Sequence, residues 1–166
     1  MRCSKQIVIE LKSVVDDSKS LSRFSNMSAR FLRSIRLLAE CYQAFELRSG
    51  RHVRQLGVTP AQFDIIATLG RTNGISFTEL GTRTLITKGT LSGVLDRLQS
   101  RELLVREAIE GDGRRVLVRL TAKGEALFEK IFPLHVAYLE ERFADFSSEE
   151  LDQFDAQLRR VRDSLK

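Results

Sequence analysis

The chain of 166 residues is long enough for one domain with a sizeable hydrophobic core. With 42% hydrophobic and 30% charged residues, its composition is ordinary for a globular protein and indicates none of the unusual compositional classes. A net charge of +5, with a pI near 9.6, weakly favours a polyanionic partner.

The pattern of residues 1–21, an N-terminal extension, fits two local structures. Ile7, Ile9 and Leu11 alternate as in a strand, whereas Ile7, Leu11 and Val14 would also form a helical stripe. The apolar run is too short, and is interrupted by charge too soon, for a secretory signal or a membrane span. Together with the presence of only two cysteines, this predicts a cytoplasmic protein that makes no contact with membranes.

A seven-residue repeat of apolar side chains predicts one long amphipathic helix over residues 22–49. The repeat consists of Phe24, Phe31, Leu38 and Phe45, with Met27 and Cys41 between them. Thr59 to Gln62 then form a capping box with proline at the first helical position, which predicts a second helix through Leu69.

Two short helices are predicted next. Ser76 and Glu79 have the spacing of a capping box, so a helix begins there and ends near Leu85. Thr87 is a candidate cap for a following helix that extends to about Ser100. The apolar stripe of this second helix has helical spacing and consists of Leu91, Val94, Leu95 and Leu98.

The opposite face of the Thr87–Ser100 helix is small and polar. It carries Gly89, Ser92, Gly93 and Asp96, flanked by Lys88, Thr90 and Arg97. The major groove of B-DNA admits one helix whose N-terminal residues reach the base edges, and the glycines would let the backbone approach closely. The pattern therefore suits a DNA-reading helix, although a solvated helix face would look the same.

A β-hairpin with a basic tip is predicted after that helix. Its strands are Leu103–Ile109 and Val116–Leu120, joined by residues 110–115 with glycines at 111 and 113. Arg114 and Arg115 could enter the minor groove beside a helix-filled major groove. Asp112 would hydrogen-bond Arg114 and hold it in place, or would simply be a turn-forming residue.

The C-terminal part is predicted to be helical. Thr121 caps a helix to about Asp145 that Pro133 should bend, and Ser147 to Glu150 form another capping box. The last helix carries a narrow apolar seam suited to a partner helix, made of Leu151, Phe154, Leu158, Val161 and Leu165.

Three segments together resemble one known family. They are Thr87-Lys-Gly-Thr-Leu-Ser-Gly-Val-Leu-Asp-Arg-Leu98, the hairpin segment Asp112-Gly-Arg-Arg115, and Leu120-Thr-Ala-Lys-Gly124. They resemble the MarR (multiple antibiotic resistance regulator) family, and Leu56 to Phe63 is similar to the segment that leads into that family's second helix. The resemblance covers about residues 22–165. It implies a homodimeric winged helix-turn-helix regulator, often a repressor, that a small ligand, a metal or an oxidant releases from DNA.

The resulting expectation is a mainly α (α+β) winged helix-turn-helix protein whose long N- and C-terminal helices form a dimerisation domain. The expected parts are the extension 1–21, a dimerisation helix with its connection 22–58, a DNA-binding region 59–121 and dimerisation helices 122–166. The expected DNA contacts are Thr78, Thr87, Lys88, Gly89, Thr90, Ser92, Gly93, Arg97, Arg114 and Arg115, with Asp112 supporting the wing. A dimer would place two such DNA-binding regions roughly 34 to 36 Å apart and select a near-palindromic operator in double-stranded DNA. The extension is expected to cover the dimer interface or an effector pocket.

The expected effector is a small aromatic carboxylic acid. Candidate contacts near the junction of the long helix with the DNA-binding region are Arg36, Tyr42, Phe45, Arg48, His52, Phe63, His135 and Tyr138. The aromatic residues and histidines would hold the ring, and Arg36 or Arg48 would pair with the carboxylate. The alternative is that each of these aromatic residues and histidines belongs to the hydrophobic core.

Other functions have less support in the sequence. The two histidines have no close ligand spacing, so no metal site or cofactor is expected. A peroxide sensor needs an exposed cysteine of low pKa, whereas Cys41 lies on the apolar stripe. A redox-sensing regulator of the same fold therefore stays an alternative only through Cys3 in the extension. No phosphate-binding loop or nucleophile motif is present, so an enzyme is not expected. A nucleoid-type protein that binds DNA without sequence preference is the remaining alternative.

Overall fold

The computed structural model describes residues 26–84, 86–109 and 112–166, without the side chains of residues 26–29, 88, 109 and 112–115. The extension 1–21 and Cys3 lie outside the described residues. The elements in chain order are α1 Asn26–Gln55, α2 Pro60–Leu69, β1 Ile75–Ser76, α3 Phe77–Arg83, α4 Lys88–Ser100, β2 Leu104–Ile109, β3 Asp112–Leu120, α5 Ala122–Phe143 and α6 Ser148–Ser164.

The chain divides between Arg51 and His52 into two compact units. Of the first unit the structure describes the part of helix α1 up to Arg51. The predicted repeat residues Phe31, Leu38 and Phe45 lie on this helix and are exposed in the single chain. These three residues of the predicted apolar stripe are therefore left uncovered by the part of the chain that the structure describes, while Phe24 lies outside that part.

Helix α1 ends later than its sequence predicts. The residue after the expected end at 49 is Gly50, and glycine is a poor helix former. The helix continues to Gln55 because Val53, 1% exposed, is part of the hydrophobic core. Burial of a valine contributes roughly 1.5 to 3 kcal/mol, which exceeds the cost of about 1 kcal/mol for glycine inside a helix.

The core of the second unit lies among α2, α3, α4, the sheet and the first half of α5. Its fully buried side chains are Val53, Ile65, Ile66, Leu69, Leu80, Leu91, Leu95, Leu98, Leu104, Val118 and Ile131. Three of the four predicted stripe residues of α4 are among them, and the fourth, Val94, is 3% exposed. The prediction that α4 is amphipathic is therefore confirmed.

The predicted helix caps are largely present because they depend on residues only three positions apart. The hydroxyls of Thr59 and Ser147 each form a complete capping box, and that of Thr121 accepts from the amide of Gly124. At α3 only half of the predicted box forms. The Ser76 hydroxyl accepts from the Glu79 amide, whereas the Glu79 carboxylate pairs with Arg83.

The sheet has three antiparallel strands in the order β1-β3-β2, and the sequence analysis predicted only the last two. β1 contains two residues, with Ile75 opposite Val118 and Ser76 opposite Leu117. So short a strand shows no alternating pattern, and it exists because it pairs with the edge of β3. The β2–β3 pairing has an irregularity between Ala108 and Ile109, and β3 begins four residues earlier than predicted.

The C-terminal helices match their predicted order. α5 ends at Phe143, two residues before the predicted end, and passes through Pro133. α6 has no buried residue. Of the predicted seam, Phe154, Leu158 and Val161 on α6 and Leu165 directly after it are exposed, and Leu151 is half-buried. Within the described ranges, none of the helices combines the length and apolar character needed to cross a bilayer.

Candidate nucleic-acid interface

The outer face of α4 is exposed where the sequence analysis placed the DNA-reading surface. Gly89, Thr90, Ser92 and Arg97 are exposed, and Gly93 is half-buried. A Cβ added at Gly89 would meet no atom within 4 Å. The face is therefore open and low in profile, as a helix that enters a groove requires.

The N-terminal end of α4 differs from its predicted form. Thr87 is the N-cap residue, but its side chain makes no capping hydrogen bond. Its hydroxyl oxygen lies 3.0 Å from the hydroxyl oxygen of Thr90 instead. Both residues are exposed, and so is Thr78 on α3. The hydroxyls of Thr87 and Thr90 therefore lie at the end of α4 whose partial positive charge favours an anion such as a phosphate.

The basic residues of this region fall into two groups. Arg83 and Arg119 form ion pairs with Glu79 and Glu107, respectively, and hydrogen bonding from Arg119 lowers the pKa of the Glu107 carboxyl. Arg97 is exposed and has no carboxylate partner among the described residues. Fewer arginines are therefore available to an external anion than the sequence count suggests.

A contact that the sequence analysis missed joins the hairpin to α4. Arg106 on β2 donates from Nε to Gln99 Oε1 at 2.7 Å and from Nη2 to Asp96 Oδ1 at 2.5 Å. The three residues are seven and ten positions apart, so no local spacing rule indicates their contact. The arginine therefore links the last turns of α4 to the first half of β2.

The hairpin tip carries the remaining candidates. The backbone of β3 begins at Asp112 and includes Arg114 and Arg115. The side chains of these residues and of Lys88 lie outside the described part of the structure, so their roles at DNA stay predictions. The backbone places Arg114 and Arg115 close to the turn of the hairpin, as the sequence indicated.

The motif Leu120 to Gly124 forms the base of the hairpin. The Thr121 amide donates to the Leu103 carbonyl at 3.1 Å, and its hydroxyl donates to the Glu102 carbonyl at 2.7 Å. Gly124 lies so close that an added Cβ would overlap the Leu103 carbonyl oxygen. The glycine is required here because the start of α5 packs directly on the backbone that precedes β2.

An aromatic cluster lies between the end of α1 and the middle of α5. His52 stacks on Tyr138 with ring centroids 4.0 Å apart and planes 3° apart. The Nδ1 atoms of His52 and His135 are 2.9 Å apart, and Phe63 packs edge-on against His135. Arg142 lies over the Tyr138 ring at 4.0 Å. The structure thus brings together four of the predicted effector residues, although His135 is a core residue at 4% exposure.

The pKa of His135 makes the stability of the fold sensitive to pH. Burial, and then the nearby His52, lower this pKa below its usual 6.5. The unfolded chain therefore takes up a proton near pH 6.5 that the folded chain does not, and stability is lost as pH falls below that value. We expect the free energy of unfolding to decrease between pH 7 and 5, and to decrease less in His135→Gln. Urea unfolding of both proteins at several pH values measures this, and equal pH slopes would contradict it.

The four remaining effector candidates lie on α1 in the first unit. Arg36 pairs with Glu40 at 2.8 Å, while Tyr42, Phe45 and Arg48 are exposed. Burial, followed by the charge of Glu46, raises the pKa of Tyr42. Their role in effector binding stays a prediction.

Two alternatives concern metals and cysteine. Among residues 26–84, 86–109 and 112–166 there is no group of three or more metal-ligating side chains. The sequence placed Cys41 on the apolar stripe of α1, and the structure shows it exposed. Its exposure accompanies that of the neighbouring stripe residues.

Comparisons with known proteins agree with this geometry. A model of the MarR family matches residues 56–115. The HTH-type transcriptional regulator MhqR of Bacillus subtilis (strain 168) is 28% identical over 135 residues, which are 81% of this chain and 93% of MhqR. The crystal structure of NadR in complex with 4-hydroxyphenylacetate matches at 27% identity and a TM-score of 0.64, covering 75% of this chain and 88% of NadR. The structure of Bordetella bronchiseptica BpsR, whose DNA binding is regulated by 6-hydroxynicotinic acid, matches at 29% identity and a TM-score of 0.68, covering 76% and 91%.

A helical core, a short three-stranded sheet and an exposed helix ahead of a hairpin define a winged helix-turn-helix protein. The predicted fold class is thereby confirmed. Over residues 56–115 the chain matches the model of the MarR family, which is the family that its motifs indicated.

Proposed function

We propose that the protein is a sequence-specific regulator of transcription that binds double-stranded DNA with α4 in the major groove. The observation that carries this proposal is the two-sided character of α4. Leu91, Leu95 and Leu98 are fully buried, while Gly89 and Ser92 on the other side are exposed and small. Such a helix is held firmly by the core and still lets its backbone come close to base edges.

The wing supplies the second contact of the proposal. β2 and β3 form a hairpin whose turn is next to Arg114 and Arg115 in sequence. In winged helices of this arrangement the hairpin reaches the minor groove, where a narrow groove attracts arginine. The wing arginines would thus add a preference for sequences with a narrow minor groove.

The proposed functional form is a homodimer. The exposed seam along α6 and the exposed stripe of α1 are apolar surfaces that the described residues leave in water. Apolar seams with this spacing pack against partner helices, and closed two-fold dimers are the commonest solution. A dimer would present two copies of α4, so we expect a near-palindromic operator and repression by occupancy of a promoter.

The proposed effector is a small aromatic carboxylic acid. NadR and BpsR, which this chain resembles, are described with 4-hydroxyphenylacetate and 6-hydroxynicotinic acid, respectively. In the present chain, His52, Phe63, His135 and Tyr138 gather stacked rings and ring nitrogens in one place. Rings of this kind hold an aromatic ligand by stacking, and a ring nitrogen can donate to a carboxylate. The acid would act by favouring one of two dimer geometries.

The test is selection of bound DNA from a random pool by the purified protein, with and without small aromatic acids. We expect an enriched near-palindrome that is lost when one of the acids is added. An enriched palindrome that no acid affects would support the proposed regulatory function and contradict the proposed effector. Absence of any enrichment would favour the nucleoid-type alternative, and release by peroxide would favour the redox-sensing one.

A further inference from the structure

We propose that Arg106 is a positioning residue for DNA recognition, which holds the wing against α4 and neutralises a carboxylate on the face that reads DNA. The proposal rests on the proposed function, because it explains how the same interface is arranged. Arg106 itself is not assigned a contact with DNA.

The guanidinium group of Arg106 donates hydrogen bonds to two acceptors at once. Its Nε and Nη2 atoms donate to Gln99 and Asp96, which lie one turn apart on α4. The backbone of Arg106 is paired with Val118 of β3, so its strand is held from the other side as well. A planar guanidinium that reaches two acceptors fixes both distance and angle, which a lysine ammonium does not. The wing and α4 are therefore joined as one body at this point.

The charge of Asp96 explains why this contact matters for DNA. Asp96 lies on the outer side of α4, one turn after Ser92 and Gly93, at the C-terminal end of the small polar face. A carboxylate at that position would repel the phosphates of any DNA that approached. Arg106 supplies the compensating positive charge from the wing. The Ser100 hydroxyl donates only to the backbone carbonyl of Asp96 and leaves the charge of the carboxylate unchanged. The compensation depends on the wing being in place.

Arg97 provides the contrast that makes the proposal testable. Arg97 directly follows Asp96 on α4, is exposed and has no carboxylate partner among the described residues. Arg97 is thus free to meet a phosphate, whereas Arg106 has both of its donating nitrogens directed at α4. The two arginines should therefore differ in their effect on the salt dependence of binding.

The experiment compares Arg106→Ala with Arg119→Ala on the selected operator across a range of salt concentrations. Arg119 is a matched control because it lies on the same hairpin, and its guanidinium group donates to both carboxylate oxygens of Glu107, which also belongs to the hairpin. We expect Arg106→Ala to lose roughly tenfold or more in affinity with an unchanged slope of log K against log salt, and Arg119→Ala to lose little. A slope reduced by about 0.9 in Arg106→Ala would reveal a direct phosphate contact and overturn the proposal. Equal losses in both variants would overturn it too.

Two further variants test the carboxylate. Asp96→Asn in the Arg106→Ala background should recover several-fold in affinity, because it removes the uncompensated charge. Arg106→Lys should lie between the wild type and Arg106→Ala. No recovery with Asp96→Asn would contradict the proposal.

A readout without DNA separates this proposal from the proposed function. We expect the urea midpoint shifts of Arg106→Ala and Asp96→Asn to be non-additive, because the two side chains contact each other. Additive shifts in a protein that still selects an operator would overturn the positioning role alone. Loss of operator selection by the wild type would overturn the proposed function, and the positioning role with it.

Discussion

Gly124→Ala is expected to lower the free energy of unfolding by about 3 kcal/mol, at the upper end of what overpacking costs. The added Cβ would overlap the Leu103 carbonyl oxygen and approach Leu120. A backbone oxygen cannot rotate away as a side chain can, so the start of α5 must move off the base of the hairpin. That movement also strains the bonds from Thr121 to the residues before β2. A decrease of roughly 6 to 12 °C in melting temperature should accompany it.

Gly89→Ala is the matched control for this experiment. It makes the same chemical change in a helix, but nothing lies within 4 Å of the added Cβ. Alanine is the better helix former by up to about 1 kcal/mol, so the control should melt at the same temperature or higher. If Gly124→Ala melted like the control, the close approach of α5 to Leu103 would be refuted.

Gly93→Glu should make the protein no less stable while lowering its affinity for the operator by about 100-fold. Glutamate is a better helix former than glycine by roughly 0.5 to 1 kcal/mol. It would also stand four residues before Arg97, the favourable order for a helical ion pair, and Arg97 Nη2 is already 3.9 Å from the position of the new Cβ. The new carboxylate would lie on the outer face of α4 and face phosphate, and a like-charge contact of this kind costs several kcal/mol. Thermal unfolding and operator titration measure the two effects separately.

Ala156→Glu on α6 controls for the change in total charge. Ala156 is exposed, and a glutamate there would stand four residues before Arg160, as Gly93→Glu does before Arg97. This variant should bind the operator with nearly wild-type affinity. Equal losses in the two variants would mean that α4 is not the reading helix and that net charge alone governs binding.

How far the sequence predicted this molecule depends on the distance between the residues that interact. The capping boxes at Thr59 and Ser147 and the buried stripe of α4 follow from spacings of three to four residues, and all were predicted. Strand β1 could not be predicted, because its two residues carry no periodicity and owe their conformation to β3.

The same reasoning applies to the candidate site. The exposed polar face of α4 follows from helical geometry once the buried stripe is known. The contact of Arg106 with Asp96, by contrast, depends on how the wing folds back on the helix. The pairing of His52 with His135 joins residues 83 positions apart. Composition indicated that such residues were present, but only the packing of α5 brings the second histidine to the first.

The absence of a buried residue on α6 has a consequence for the protein as a molecule in dilute solution. A 17-residue helix without a single buried side chain is only marginally stable in water, because helix nucleation is costly and most helical stability in proteins comes from packing. Its capping box helps it begin, but only cover over Phe154, Leu158 and Val161 can keep it formed. If the proposed dimer supplies that cover, secondary structure and assembly are coupled at this end of the chain, and we expect the amount of helix to increase with protein concentration.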